Sequence, residues 1–184
     1  LEEHALAVAD AMDPTTGRKQ AGMLVSRNVA DLTDEQVLSA AYESVAENLN
    51  DSIIAPVFYY VLFGLPGAAL YRAVNTMDAM LGYRDERVRL GWCAARMDDI
   101  LSYIPARISG LLLLVRYAWS GRLGPAVRIL KRDRRRRPGY NGGIPMSLIA
   151  GGEGVRFEKP GAYRIGDPER ELRNAGPDII RTLR

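Results

Sequence analysis

Histidine and cysteine are almost missing from this sequence, with one of each, His4 and Cys93, in 184 residues. A lone cysteine excludes an internal disulfide, and together the two make neither a His/Cys zinc site nor a Cys-His or Ser-His catalytic pair. No GxxxxGK[ST] loop, no GxGxxG and no internal repeat occurs, so the standard nucleotide folds and repeat architectures are not supported. The first residues lack a basic region followed by an apolar stretch, and no secretion signal is expected. Any chemistry must therefore run on carboxylates, amides, arginines and a bound ligand.

What is present is apolar mass and a divided charge. The chain is 47% hydrophobic and long enough for one domain with a real core, so 1–184 is read as a single helical unit. The formal net charge of +3 conceals an asymmetry. Residues 1–51 carry ten acids against three bases, whereas 116–137 carry nine bases against one acid. The run Lys131 to Arg137, KRDRRRR, reads as a membrane-surface patch on the cytoplasmic side or as an anionic-ligand patch. It lacks interleaved aromatics, which disfavours nucleic acid as a partner.

Periodicity divides the chain into helices. Residues 1–12 are expected to form a short helix, followed by a turn at Pro14 to Gly17. Thr33-Asp34-Glu35-Gln36 has the form of a capping box, and the helix it opens is expected to run to about Ile54. Leu38, Ala41, Tyr42, Val45, Leu49 and Ile53 form its apolar stripe. From Ile53 to Leu70 come 18 residues without a charge, near the length that crosses a bilayer but interrupted by Pro56, Gly64, Pro66 and Gly67. This reads as a broken or re-entrant apolar hairpin, with a buried soluble hairpin as the equal alternative. Helical periodicity continues from Leu70 to Leu81, with Gly82 as a cap and Tyr83 to Leu90 as a charged loop. Another amphipathic segment ends before Pro105, and a strongly apolar helix is expected from Ile108 to Trp119. Pro138 to Gly166 reads as Gly/Pro-rich loop, and the last eighteen residues as a short helix or tail.

Three polar faces stand out. Glu43, Glu47 and Asp51 recur at i, i+4 and i+8, within an arc of about 80° on a helix. Their mutual repulsion would be relieved by Mg²⁺ carrying nucleotide phosphates, although an ordinary solvated face explains the spacing as well. Arg72, Asn75 and Asp78 form a second group, and Arg96, Asp98 and Asp99 a third. One such group means little, but three within 60 residues suggest faces converging on one cavity, with surface ion pairing as the alternative. Arg107, between Pro105 and an apolar helix, reads equally as an interface anchor. Asn141-Gly142-Gly143-Ile144-Pro145 can bring backbone amides to an anion, or be a plain turn.

Quoted in order, ESVAENLND at Glu43 to Asp51, YRAVNTMDAMLGYR at Tyr71 to Arg84 and GWCAARMDDILSYIPAR at Gly91 to Arg107 resemble the signature blocks of the adenosylcobinamide-phosphate synthase family, CobD/CbiB. LVSRNVADL at Leu24 to Leu32 and NGGIPMSLIAGGEGVRFEKPGAYRIGD at Asn141 to Asp167 extend the resemblance over roughly 18–167. It implies a mainly α, polytopic or partly membrane-embedded bundle in the cell membrane, with a homo-oligomer compatible with it. Family members usually begin with additional hydrophobic segments, which do not precede Leu1 here. Met146 and Tyr140 depart from the family pattern around the Asn141 block.

The activity implied is an ATP-dependent carbon-nitrogen ligase of cobalamin biosynthesis. It joins an aminopropanol phosphate to a propionate of adenosylcobyric acid, so a corrinoid and an aminoalcohol phosphate are the expected partners. The resemblance places Mg²⁺ and the ATP phosphates at Glu43, Glu47 and Asp51. It gives catalytic or second-metal roles to Asp78, Asp98 and Asp99, phosphate binding to Arg72, Arg96 and Arg107, and substrate orientation to Asn48 and Asn75, with Asn141 and Gly142 as further binding residues. Competing readings are a non-catalytic membrane sensor or corrinoid-binding protein, and a structural subunit.

Overall fold

A computed structural model describes residues 31–81 and 88–183. The helix and turn expected over 1–17 and the Gly82 cap lie outside these residues. Among those described the chain is mainly helical, with one two-stranded sheet.

Helix α1 (Asp34–Asn48) starts as its sequence dictates. The Thr33 hydroxyl accepts from the Gln36 amide at 3.3 Å, and the Gln36 side chain accepts from the Thr33 amide at 3.0 Å. This reciprocal cap is worth about 1 kcal/mol. The helix then widens into a π turn, Leu49–Ile54. Pro56 follows directly, and its ring can neither donate to the carbonyl of Ser52 nor fit beneath it in α geometry.

Helix α2 (Ala55–Leu81) is two helical arms rather than one rod. Gly64 has φ 66° and ψ −158°, a region open essentially to glycine alone. The chain reverses there. Tyr59 and Tyr71 stack with centroids 5.5 Å apart, and Arg72 Nη1 reaches the Asp51 carbonyl at 3.1 Å, contacts that a straight helix would prevent. The break expected in the apolar run from Ile53 to Leu70 is therefore a reversal, and the hairpin it makes is not buried. Val57, Val61, Phe63, Leu65 and Leu70 are all exposed. Pro66 falls in the first turn of the returning arm, where its missing N–H costs little.

Helix α3 (Val88–Leu101) packs along the hairpin, and α4 (Tyr103–Trp119) follows after a 45° bend at Ser102. The apolar helix thus begins five residues before Ile108, with Pro105 inside its first turn. By length and composition the stretch Asp34–Met80 contains a window apolar enough to cross a membrane, and the bent pair α3–α4 passes only if taken as one span. The reversal at Gly64 makes the first of these a folded-back element.

The core lies beyond the arm. Helices α5 (Leu123–Asp133) and α6 (Gly143–Glu153) pack closely on each other, and α4 and α1 cover them. Tyr42, Tyr117, Met146, Leu148 and Ile149 are fully buried there, each side chain contributing about 1.5–3 kcal/mol of transfer free energy. The Gly/Pro-rich segment expected to be loop holds α6 and a hairpin instead. Strands β1 (Phe157–Lys159) and β2 (Tyr163–Ile165) pair antiparallel with Phe157 opposite Ile165. Lys159-Pro160-Gly161-Ala162 turns between them, with Gly161 at φ 73° and the Ala162 amide on the Lys159 carbonyl at 3.0 Å. The end of the chain is the helix α7 (Leu172–Leu183), whose Leu172, Ile179 and Ile180 close the core.

Candidate functional site

Where the hairpin arm meets the core, α1, the π turn, α2, α3 and the loop before α6 enclose a cavity of about 500 Å³. Ten of the sequence-derived residues line it: Glu47, Asn48, Asp51, Arg72, Asn75, Asp78, Asp98, Asp99, Asn141 and Gly142. Residues more than ninety apart in sequence are thus brought to one place. The hairpin reversal is what does this, by returning Arg72, Asn75 and Asp78 to the level of Asp51.

Five carboxylates face two guanidiniums in this lining. Burial pushes Asp98 up to about 6; the Asn75 amide, 3.2 Å from its Oδ1, opposes this, while Asp51, Asp78 and Asp99 add to it. Burial also raises Asp51, against hydrogen bonds from Asn50 and others. It raises Asp78 as well, with Asp99 and Asp51 adding to the effect. Glu47 is raised by burial although Arg137 pairs with it at 2.7 Å. None of these groups lies within the uncharged stretch 53–70.

The supporting contacts define distinct roles. Asn50 donates to Asp51 Oδ1 at 2.8 Å and accepts from the buried Ser109 hydroxyl at 3.2 Å, so the core fixes the carboxylate. Asn48 spends its amide within the helix, donating to the Ser44 carbonyl and accepting from Ser52. Tyr71 joins Ser102 at 3.0 Å and meets Asp51 at 3.5 Å, tying the returning arm to the α3–α4 bend. Asn141 accepts from Arg107 at 2.8 Å and donates to the Asp99 carbonyl at 2.9 Å. With both ends of its amide engaged, it latches the loop to α3 and α4.

Three of the expected residues are elsewhere. Glu43 bonds Ser39 at 2.5 Å and Tyr163 at 2.7 Å, under the β hairpin. Glu43 stays near enough to add to the rise of Glu47, but its carboxylate is taken up by Ser39 and Tyr163 and does not line the cavity. Among the described residues no three His, Cys, Asp or Glu side chains stand close enough together to hold a metal ion. The carboxylates do fit the other way in which Mg²⁺ is held, by one or two side chains with phosphate oxygens completing the shell. Asp51 and Asp98 offer the hard oxygen donors, and the surplus of negative charge suits a cation. Arg96 and Arg107 line a neighbouring recess.

Sequence reasoning missed Arg137, Ser102 and Asn50. Arg137 was read within a uniform basic run, but that run splits. Arg132 and Arg136 grip the buried Asp133, Arg132 also reaches Asp167, and Arg137 turns into the cavity. Only the Asp inside the run signalled that its arginines differ.

The family profile described as CobD/Cbib protein matches residues 1–183. The chain belongs to the CobD/CbiB family. A probable cobalamin biosynthesis protein CobD of Methanothermobacter thermautotrophicus is 51% identical over 91% of this chain and 58% of its own length. Proteins of the same name from Pyrococcus abyssi and Thermococcus kodakarensis are 50% and 48% identical, over 90% and 91% of this chain and 53% of each relative. The chain spans about half the length of the CobD proteins it matches. No solved structure gives a significant match. The three polar blocks are segments that wall the cavity.

Proposed function

We propose that the cavity is the reaction chamber of an amide-forming ligase of cobalamin biosynthesis, which joins an aminoalcohol phosphate to a propionate carboxylate of adenosylcobyric acid. The observation that carries this reading is the convergence of ten family-block residues on one acidic, half-enclosed cavity. At about 500 Å³ it suits the reacting ends of the substrates, with the corrin ring outside.

In this reading ATP phosphorylates the propionate, giving an acyl phosphate and ADP. The amine attacks the acyl carbon, the C–N bond forms, and inorganic phosphate leaves. Mg²⁺ held by Asp51 and Asp98 would neutralise phosphate charge. Asn75, hydrogen-bonded to Asp98, orients that carboxylate, and Asn50 does the same for Asp51. Asp78, raised by burial and outside the cation's shell in this reading, accepts a proton from the attacking ammonium more readily than an ordinary carboxylate. Arg72 faces the same cavity and holds phosphate oxygens. The scarcity of histidine and cysteine is no obstacle, because ligation through an acyl phosphate requires no protein nucleophile.

The exposed apolar hairpin supports work at the cell membrane, with its tip in lipid and the exposed Lys131, Arg134 and Arg135 on the cytoplasmic side. The test uses full-length protein in lipid nanodiscs with adenosylcobyric acid, ATP, Mg²⁺ and aminopropanol phosphate. Mass spectrometry is expected to show the amide product, dependent on ATP. Corrinoid binding with no ATP-dependent gain in mass would favour the non-catalytic reading.

A further inference from the structure

Beside the acidic cavity lies a second recess, of about 940 Å³, with the opposite charge. Arg96, Arg107, Arg134, Arg135 and Arg137 face it against a single carboxylate, Asp99. Among the described residues only Arg137 of these five pairs with an acid, Glu47. Among the described residues four guanidiniums that form no ion pair face one concavity with only Asp99 to offset them, and an anion would neutralise the excess.

The recess is built rather than incidental. Arg107 is held by the Tyr103 carbonyl at 2.7 Å and by Asn141 at 2.8 Å, with its guanidinium 3.4 Å above the Tyr103 ring. The loop that carries Arg134 and Arg135 folds back so tightly that a Cβ on Gly143 would collide with the Arg134 carbonyl. The two chambers share a wall made by Asp99, Arg137 and the loop from Pro138 to Tyr140.

We infer that the arginine recess binds the phosphate of a short amine phosphate whose ammonium reaches across the shared wall into the acidic cavity, with Arg134 and Arg135 as phosphate-binding residues. The inference rests on the ligase reading for its substrate and goes beyond it in dividing that substrate between two chambers. A molecule with a cation at one end and a dianion at the other matches adjoining recesses of opposite sign. A nucleotide carries no cationic end, and its phosphates would enter the acidic side only with a metal ion.

The test compares full-length wild-type protein with an Arg134→Gln/Arg135→Gln double variant in nanodiscs of neutral lipid. The KM for aminopropanol phosphate is expected to rise about tenfold or more. The KM values for ATP and corrinoid, and the reaction with aminopropanol lacking phosphate, stay within about twofold, since by this reading neither touches these arginines. Arg134→Lys/Arg135→Lys is expected to recover part of the loss, because charge returns without the bidentate fork. A rise confined to the KM for ATP, a defect seen only in anionic-lipid nanodiscs, or unchanged kinetics would each overturn the inference while leaving the ligase reading intact. If the wild type makes no amide, calorimetry decides. Binding of aminopropanol phosphate that is lost in the double variant upholds the recess, and equal binding by both proteins removes it.

Discussion

At the scale of single residues the acidic cavity is defined by carboxylates that share a desolvated space with too few cations. Asp98 is the clearest case, raised to about 6 chiefly by burial. Its folded value exceeds the ordinary 3.8, so the native protein holds a proton that the unfolded chain releases between those limits. Stability contributed by this group therefore falls as pH rises through that window, whereas its capacity to bind a cation grows over the same range. Mg²⁺ affinity, measured by calorimetry on the full-length protein, is expected to weaken as pH drops through about 6. In Asp98→Asn that pH dependence is expected to shrink to the part that Asp51 carries, with loss of most product formation. An undiminished pH response in the variant would remove Asp98 from the cation site. Asn141 acts differently, since its amide is engaged by Arg107 and by the Asp99 carbonyl. Asn141→Ala leaves the buried end of that pair unsatisfied, at a cost of about 1–3 kcal/mol. A lowered thermal midpoint is the expected reading, with aminopropanol phosphate KM raised through the displaced Arg107.

At the scale of elements, the parts legible in sequence were those set by short-range rules. The Thr33 to Gln36 cap and the interruption of the apolar run follow from local spacing and form as read, whereas the stripe of the first helix loses Ile53, exposed in the π turn, and Glu43 is buried. The segment from Pro138 to Gly166 departs from its loop expectation, because its glycines sit at a helix and a hairpin turn as well as in loops. Pro160 and Gly161 instead supply the two positions of a hairpin turn, and Gly143 permits a close approach of backbone to Arg134. The direction of Arg137 and that of the Glu43 carboxylate depend on tertiary packing. Two predictions belong to this scale. Gly64→Ala forces a side chain into φ 66° and is expected to destabilise the hairpin by about 1–3 kcal/mol, loosening the Arg72 and Tyr71 contacts with Asp51. A thermal midpoint equal to wild type would show the reversal to be elsewhere. Asp133 anchors the basic run: burial opposes its charge, but Arg132, the Gly166 amide at 2.8 Å and Arg136 outweigh that and lower it. Its stabilisation is present above the ordinary carboxylate value and is lost as pH falls through the lower folded one. Asp133→Asn is expected to cost about 1.5–3 kcal/mol near neutrality and to flatten the acid limb of a stability profile.

At the scale of the whole molecule, the fold separates a conventional buried core from an arm that leaves many of its large apolar side chains exposed. Val61 is 75% exposed, Leu65 72% and Trp119 89%, values that a water-facing surface does not favour across so many neighbours. The uncharged run is long enough to cross a bilayer, yet each arm of the hairpin is only half that long. From Ile53 to Phe63 a helix rises about 16 Å, against a hydrocarbon core of about 30 Å. In the membrane reading proposed above, the reversal at Gly64 would put the tip at mid-bilayer and both ends on one side, which is also the side of the acidic cavity, because Asp51 and Arg72 meet there. Spin labels decide between this and a straight span. With Cys93 replaced, single cysteines are placed at Val57, Leu62 and Leu70 of the full-length protein in nanodiscs. Val57 and Leu70 are expected at similar shallow depth, and Leu62 deepest, by the ratio of oxygen to nickel accessibility. A depth that runs steadily from one face at Val57 to the opposite face at Leu70 would mean that the arm unfolds into a single span in lipid. The contacts of Arg72 and Tyr71 with Asp51 would then be broken, and the cavity with them.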